Sequence, residues 1–383
     1  MQGFNASKRR ATGCRRRPVA AHHMPQLAPE RVLEIRRVTF LQITDIDVVT
    51  QQYRAHVYIE VVIQDGAADE RLANKENTFT EDKASEWTVV PSALWYIENQ
   101  LHISNSLEQE VREVKVIQQG NDLVLIKRVF GLFYSVMDLH HFPVDSQDLT
   151  LNIECQCAVG GPFPVKFVTH PERTTANIFK ANFMPTNMWV LGDKVDLVIE
   201  PSTLDLGASS KTYPAFKVRM HVLRKWAYYF FNVAVPMEVL TLLSILIPPC
   251  IPQSDSPGRL SVTLALTITA AAYKFAIAFM VPPVAYLTLI DRFVMALSLV
   301  LLLCAVQNAV LGIRQNDGLP IVLVFSSGVD TASSIALLVM WVLLHLYYWL
   351  QVLKAMRLRR LHFGDNVADQ ADKLGIGIGN VVV

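Results

Sequence analysis

The sequence predicts a mainly-β sandwich followed by an all-α bundle of four membrane-spanning helices. Three observations predict it. Of 383 residues, 51% are hydrophobic and only 18% are charged, outside the usual soluble balance. Charges run throughout the chain up to about Arg224 and nearly vanish over the long stretch that follows. Before that shift, short alternating runs are broken by turn residues; after it come four long apolar segments.

Residues 1–29 hold Lys8, Arg9, Arg10, Arg15, Arg16 and Arg17 without one acid, and read as a disordered or transit-type basic extension. No apolar run of secretory-signal type precedes the first domain. Residues 30–224 form the expected sandwich. The runs VTFLQITDIDV, AHVYIEVVIQDG, LVLIKRVFGLF, LTLNIECQCAV, VDLVIEP and AFKVRMHVL have the length and spacing of antiparallel strands. Asp65-Gly66, Gln119-Gly120-Asn121 and Gly160-Gly161-Pro162 mark turns between them.

Residues 225–352 form the expected helical domain, with 353–383 as a C-terminal tail. Segments 227–247 and 293–313 are long enough to cross about 30 Å of hydrocarbon. Segment 329–350 ends in aromatics suited to a headgroup interface. Segment 259–279 can also cross, yet carries Ser261, Thr263, Thr267 and Thr269 among alanines. Hydroxyls and small residues suit helix packing or a water-filled lumen better than lipid, so the other three segments should surround this one, with one face left toward partners or a pore. Helical spacing offers two stripes for its special face: Ser261, Ala265, Ile268, Ala272, Phe275 and Phe279, or Thr263, Thr267 and Lys274. Periodicity alone leaves both open, and both would also suit packing within a bundle. One amphiphilic helix cannot enclose a channel, so a pore requires several subunits. Lys354, Arg357, Arg359 and Arg360 follow the last segment, on the outer side if all four cross, against the positive-inside tendency.

A formal net charge of +1 argues against nucleic acid as a partner. Cys14, Cys155, Cys157, Cys250 and Cys304 are scattered, with no zinc-type spacing and no readable disulfide framework. His140 and His141 are adjacent and would point to opposite faces of a strand, so no metal site is expected. No phosphate-cradling loop or nucleophile motif supports an enzyme, and no cofactor is expected.

The stretch SVMDLHHFPVDSQDL, residues 135–149, resembles the signature loop of the Cys-loop receptor family, the pentameric ligand-gated ion channels. Phe142, Pro143, Val144, Asp145 and Gln147 keep its core, whereas Ser135 and Leu149 stand where the family has its two cysteines, so the signature disulfide is absent. Arg224, Asn232 and Pro236 in RKWAYYFFNVAVPM, the PGRLSV and PPVAYLTLIDRF stretches around the second segment, and TDIDVVTQQYRAHVYIE near the start are similar to the family at the same spacing. Together they cover residues 33–352.

The resemblance implies an extracellular ligand-binding sandwich, a homo- or heteropentamer in the lipid bilayer of the plasma membrane, a small-molecule agonist or proton as trigger, and a permeant inorganic ion. It selects the first stripe for the pore: Gly258, Arg259, Ser261, Ala265, Ile268, Ala272, Phe275 and Phe279, with Ile268 at the hydrophobic gate. Pro257-Gly258-Arg259 looks like the anion-selective pattern, because cation-selective relatives usually carry Glu where Gly258 stands; nearby Asp255 weakens that inference. Lys274 would face neighbouring helices, and Glu238 is expected to be solvated separately from it. The resemblance puts agonist contacts at Tyr58, Glu98, Gln156 and Tyr213, with Gln156 replacing the tryptophan of amine-gated members. It puts coupling at Phe142, Pro143, Asp145, Arg224, Pro283 and Tyr286. The short connection between the third and fourth segments leaves no room for an intracellular domain. A cation-selective channel, or a non-conducting ligand-binding or assembly subunit, would share most of these motifs.

Overall fold

Ten strands and five helices make up the described part of the chain. The structure, a computed structural model, describes residues 30–69, 72, 97, 100–157, 159–160, 164–169, 176–202, 212–252, 255–278, 283–315, 327–363 and 365–372. The basic extension 1–29 lies outside them.

The strands are β1 (Arg31–Asp47), β2 (Gln52–Ile63), β3 (Leu101–Ile103), β4 (Ser106–Gln119), β5 (Asp122–Tyr134), β6 (Ser146–Cys155), β7 (Val165–Thr169), β8 (Ala176–Ile178), β9 (Trp189–Ile199) and β10 (Ala215–Arg224). They form two sheets. One has the order β4-β5-β2-β1-β7, with β8 also beside β1; the other runs β3-β6-β10-β9. Pairing is antiparallel except that β7 and β8 run parallel to β1. The departure from a wholly antiparallel sandwich arises where the chain leaves β6 in one sheet and enters β7 in the other.

Alternation is clearest on β2, where Tyr53, Ala55, Val57, Ile59 and Val61 face inward. They meet Phe40, Phe133, Phe216 and their neighbours in one core between the sheets. The Tyr53 hydroxyl donates to the Thr150 carbonyl at 2.9 Å, tying the two layers across it. β4 and β5 turn tightly through Gly120, whose φ of +65° favours glycine.

The helices are α1 (Ala227–Cys250), α2 (Ser256–Ile277), α3 (Leu289–Gln315), α4 (Ser327–Phe363) and α5 (Asp365–Asp372). Four of them, α1 to α4, are long and apolar enough to cross a membrane, making this a multi-pass membrane protein. α1 contains a π-helical turn at Phe230–Ala234, just before Pro236. Proline lacks the N–H that would bond to the Asn232 carbonyl. The Tyr273 hydroxyl of α2 donates to that carbonyl instead. α3 begins with a reciprocal cap: Asp291 accepts from the Thr288 N–H and hydroxyl, and the Thr288 hydroxyl accepts from the Asp291 N–H. α4 runs well past residue 352, and α5 occupies part of the expected tail.

Candidate functional site

The membrane-facing end of the sandwich is built around one buried ion pair. Arg224 closes β10, and Asp145 closes the loop that enters β6; each side chain is 2% exposed. Arg224 Nε and Nη2 donate to the two Asp145 carboxylate oxygens at 2.7 and 3.2 Å. Gln147 Nε2 also donates to Asp145 Oδ2, at 2.5 Å. The guanidinium carbon lies 4.1 Å from the Trp189 ring centre and 4.9 Å from that of Phe142. Charge, hydrogen bonds and aromatic faces thus satisfy the Arg224 cation together, as burial of a charge requires.

The loop carrying Asp145 is held at both ends. The Ser135 hydroxyl donates to the Asp148 carbonyl at 2.7 Å and accepts from the Thr150 N–H at 3.2 Å. It therefore bonds the backbone on either side of Leu149, closing the loop without a disulfide. At its tip, Phe142 is fully buried and meets Tyr229 of α1 edge-on at 4.6 Å. Pro143 follows it through a cis peptide bond. The Phe142 carbonyl accepts from Ile290 N–H at 3.2 Å, and Tyr286 accepts from Leu139 N–H at 2.9 Å. His140 stacks flat on Tyr286 at 4.0 Å. The loop therefore touches both α1 and the α2–α3 connection, where Pro283 is exposed.

α2 presents two different faces. Thr263 is fully buried, and its hydroxyl accepts from Asn308 Nδ2 of α3 at 2.9 Å while donating to the Arg259 carbonyl. Thr267 is half-buried and donates to the Thr263 carbonyl. Ser261, Ala265, Ile268, Ala272 and Phe275 all point outward, Ile268 being 68% and Phe275 78% exposed. Phe279 lies outside the described residues. Lys274 is also exposed.

Arg259 differs from the expected pore-lining position. It is 4% exposed, and its Nε and Nη2 donate to the Ile251 carbonyl at 2.8 and 2.6 Å. The reason is local: the α1–α2 connection leaves this carbonyl without a helical partner, and the guanidinium reaches back to it. Gly258 is half-buried at the same end, and Asp255 is an exposed charge there, its carboxylate accepting from Gly258 N–H at 3.0 Å.

The remaining expected contacts fall on separate surfaces. Gln156 is exposed and Tyr213 half-buried at one end of the β6–β10 pair, joined through backbone bonds from Cys155 to Pro214 and from Val159 to Thr212. Tyr58 lies on the other sheet. Its hydroxyl donates to Glu60 at 2.9 Å, and Arg37 and Arg128 approach its ring at 5.7 and 5.4 Å. Burial, then the Glu60 bond, pushes its phenol up to about 12. One chain therefore does not bring Tyr58 to Gln156 and Tyr213. Glu98 lies outside the described residues.

Among the described residues, no group of three His, Cys, Asp or Glu side chains is placed to hold a metal ion. Glu238 meets a partner that spacing did not suggest: it pairs with His345 of α4, not with Lys274. Trp189, Tyr229 and His345 are further residues missed in the sequence. Trp189 and His345 carry no local motif, Tyr229 is one of several aromatics in RKWAYYFFNVAVPM, and only the approach of distant segments identifies them. Compared with protein-family models and with curated proteins, the chain matches none.

Proposed function

We propose that the chain is a subunit of a pentameric ligand-gated ion channel of the Cys-loop receptor family, with its sandwich outside the plasma membrane. One observation carries the reading: α2 turns its poorly lipophilic face away from its own bundle. Two helices are mostly unburied, and their outward faces differ in kind. α4 shows Ile335, Val339, Val342, Leu343, Leu346 and Leu350, a surface for lipid. α2 shows Ser261, Ala265, Thr269, Ala272 and Lys274 interspersed with Leu264, Ile268 and Phe275, a mixed face rather than a wholly apolar one. Such a face is poorly matched to lipid, and copies of itself around a water-filled axis would satisfy it. A ring of Ile268 side chains closes such a pore by dewetting.

The trigger is a small molecule or a proton. Its contribution is the difference between its affinities for the closed and open states. Two guanidinium groups beside Tyr58, and Gln156 in place of an aromatic, disfavour a quaternary amine, which needs an uncontested π-face.

The ion's charge has two readings. Pro257-Gly258-Arg259 suggests anions by resemblance. The withdrawal of Arg259 beneath the connection, with Asp255 left as an exposed charge, favours cations. Bilayers containing the purified chain, held under sodium and chloride gradients, separate these by reversal potential. Silence at every pH and with every candidate agonist favours a non-conducting ligand-binding or assembly subunit.

Pore geometry is tested separately. Cysteines replacing Ser261 or Ile268 should react with a water-soluble thiol reagent well above the parent chain, whereas those replacing Val339 or Leu346 should stay protected. Protection at Ser261 and Ile268, in resting and stimulated protein alike, refutes the pore.

A further inference from the structure

The proposed pore makes no use of the chain beyond residue 352, yet this region holds an extensive contact with the sandwich. α4 has 37 residues and spans about 55 Å at 1.5 Å per residue, some 25 Å more than a hydrocarbon core requires. Its last turns stand beside β10. Arg359 is 3% exposed, and its Nη2 donates to the Arg224 carbonyl at 3.0 Å. Its Nη1 lies 3.4 Å from Asp372 of α5. Arg360 reaches Asp369 at 3.1 Å and Asp372 at 3.8 Å. Two of the four basic residues near the end of α4, Arg359 and Arg360, thus lie beside two carboxylates of the segment that follows it.

α5 contributes an apolar face as well as acids. Val367 and Ala371 pack with Val190 of β9 and Leu223 of β10, with Phe363 alongside. Phe363 meets His221 of β10 edge-on at 5.7 Å. Gly192 of β9 allows this approach: a Cβ there would lie 3.0 Å from the His221 carbonyl and 3.4 Å from the Phe363 ring.

We infer that the end of α4 and α5 together form a C-terminal clasp on the β9–β10 pair. The clasp fastens α4 to the backbone of Arg224, the residue that also carries the Asp145 pair and leads into α1. Displacement of β9–β10 against the bundle must then carry α4 with it or open the clasp. The inference rests on the proposed transmission from sandwich to membrane only for its use, because the contact itself can be measured in a silent protein. Arg359 is in this sense a positioning residue: it acts through the Arg224 backbone and touches no permeant ion.

The test is amide hydrogen exchange on the full-length protein in detergent or nanodiscs, comparing the parent with Val367→Asp, which places a charge against Val190 and Leu223. Exchange should rise at least tenfold at Val222, Leu223 and in the last turns of α4, and stay within twofold across β1 and β2. A milder variant, Arg360→Gln, removes a half-exposed ion pair and should raise exchange in the same two segments about threefold. Exchange unchanged in both variants overturns the clasp. So does a uniform rise throughout the sandwich in Arg360→Gln, which would indicate general loss of stability. A local rise in a protein that carries no current upholds the clasp while counting against the channel.

Discussion

Removing the charge of Asp145 should destabilise the junction far more than removing the whole pair. Asp145→Asn keeps the shape of the side chain but leaves the Arg224 cation buried among Trp189, Phe142 and Tyr229 with no counter-charge. Breaking a pair with both members 2% exposed costs about 3–5 kcal/mol. The aromatic faces around the guanidinium place the expected value near the lower figure. About 3 kcal/mol corresponds to a folding equilibrium shifted by roughly 150-fold. For a domain the size of this sandwich, it lowers the apparent unfolding temperature by about 10 °C. Replacing both members, Asp145→Leu with Arg224→Met, removes the unpaired charge and should recover at least half of that loss. The assay is thermal unfolding of the full chain in detergent, followed by near-ultraviolet circular dichroism for the parent, both single variants and the double. Full stability of Asp145→Asn, or a double variant that loses the sum of the two singles, refutes the reasoning.

His221 accounts for a pH dependence with a defined sign. Its bond to Asp148 at 2.6 Å, opposed by burial and aided by Asp196 at 3.0 Å, raises its pKa above 6.5. The stabilisation is full below the unfolded value and is lost as pH rises through the higher folded value. The stability difference between parent and His221→Gln should therefore shrink as pH rises from 6 to 9; a constant difference would contradict this. Thr263→Val should cost about 1–3 kcal/mol by leaving the buried Asn308 amide without its acceptor, measured by thermal unfolding in the same detergent. Asp255→Asn should move the reversal potential of any current toward that of chloride, and an unmoved potential argues against a permeation role for that carboxylate.

Legibility in the sequence followed the degree to which an element is set by its own pattern. β2 alternates because one face is in the core, and β5 reads as an apolar run because Val124 and Ile126 are buried on its other face, so their positions were readable. β4 was not, because among the described residues it is an edge strand paired with β5 alone and exposes Glu108, Glu110 and Arg112; its charges mask the period. β7 and β8 are short and gain their pairing from β1, far away in sequence. The four membrane segments were readable from apolar length, though α4 continues beyond its apolar stretch because Arg359 and Arg360 find carboxylates on α5. Within α2, periodicity offered two stripes and could not choose. The choice depends on Asn308 of α3, which gives the Thr263 hydroxyl a buried partner and turns Ser261 and Ile268 outward.

The N-terminal end of α2 shows why charge type is hard to infer there from residue identity. Gly258 stands where the resemblance sets an acid in cation-selective channels, and the space beside it is already occupied. A Cβ at this position would lie 2.3 Å from Asp255 Oδ2, the side chain that caps α2 by accepting from Gly258 N–H. Any larger residue requires the Asp255 carboxylate to shift from this position, and loss of the cap would cost about 1 kcal/mol. Gly258 and Asp255 are therefore one structural unit: the glycine admits the carboxylate, and the carboxylate brings to this end the negative charge that the glycine lacks. Arg259, the next residue, is bonded to the Ile251 carbonyl and exposes little positive charge of its own. A motif comparison counts a missing acid and a present base, whereas the geometry leaves an exposed acid and a withdrawn base. Substituting Gly258 by Glu would change cap and charge together, so only replacement of Asp255 isolates the electrostatic contribution.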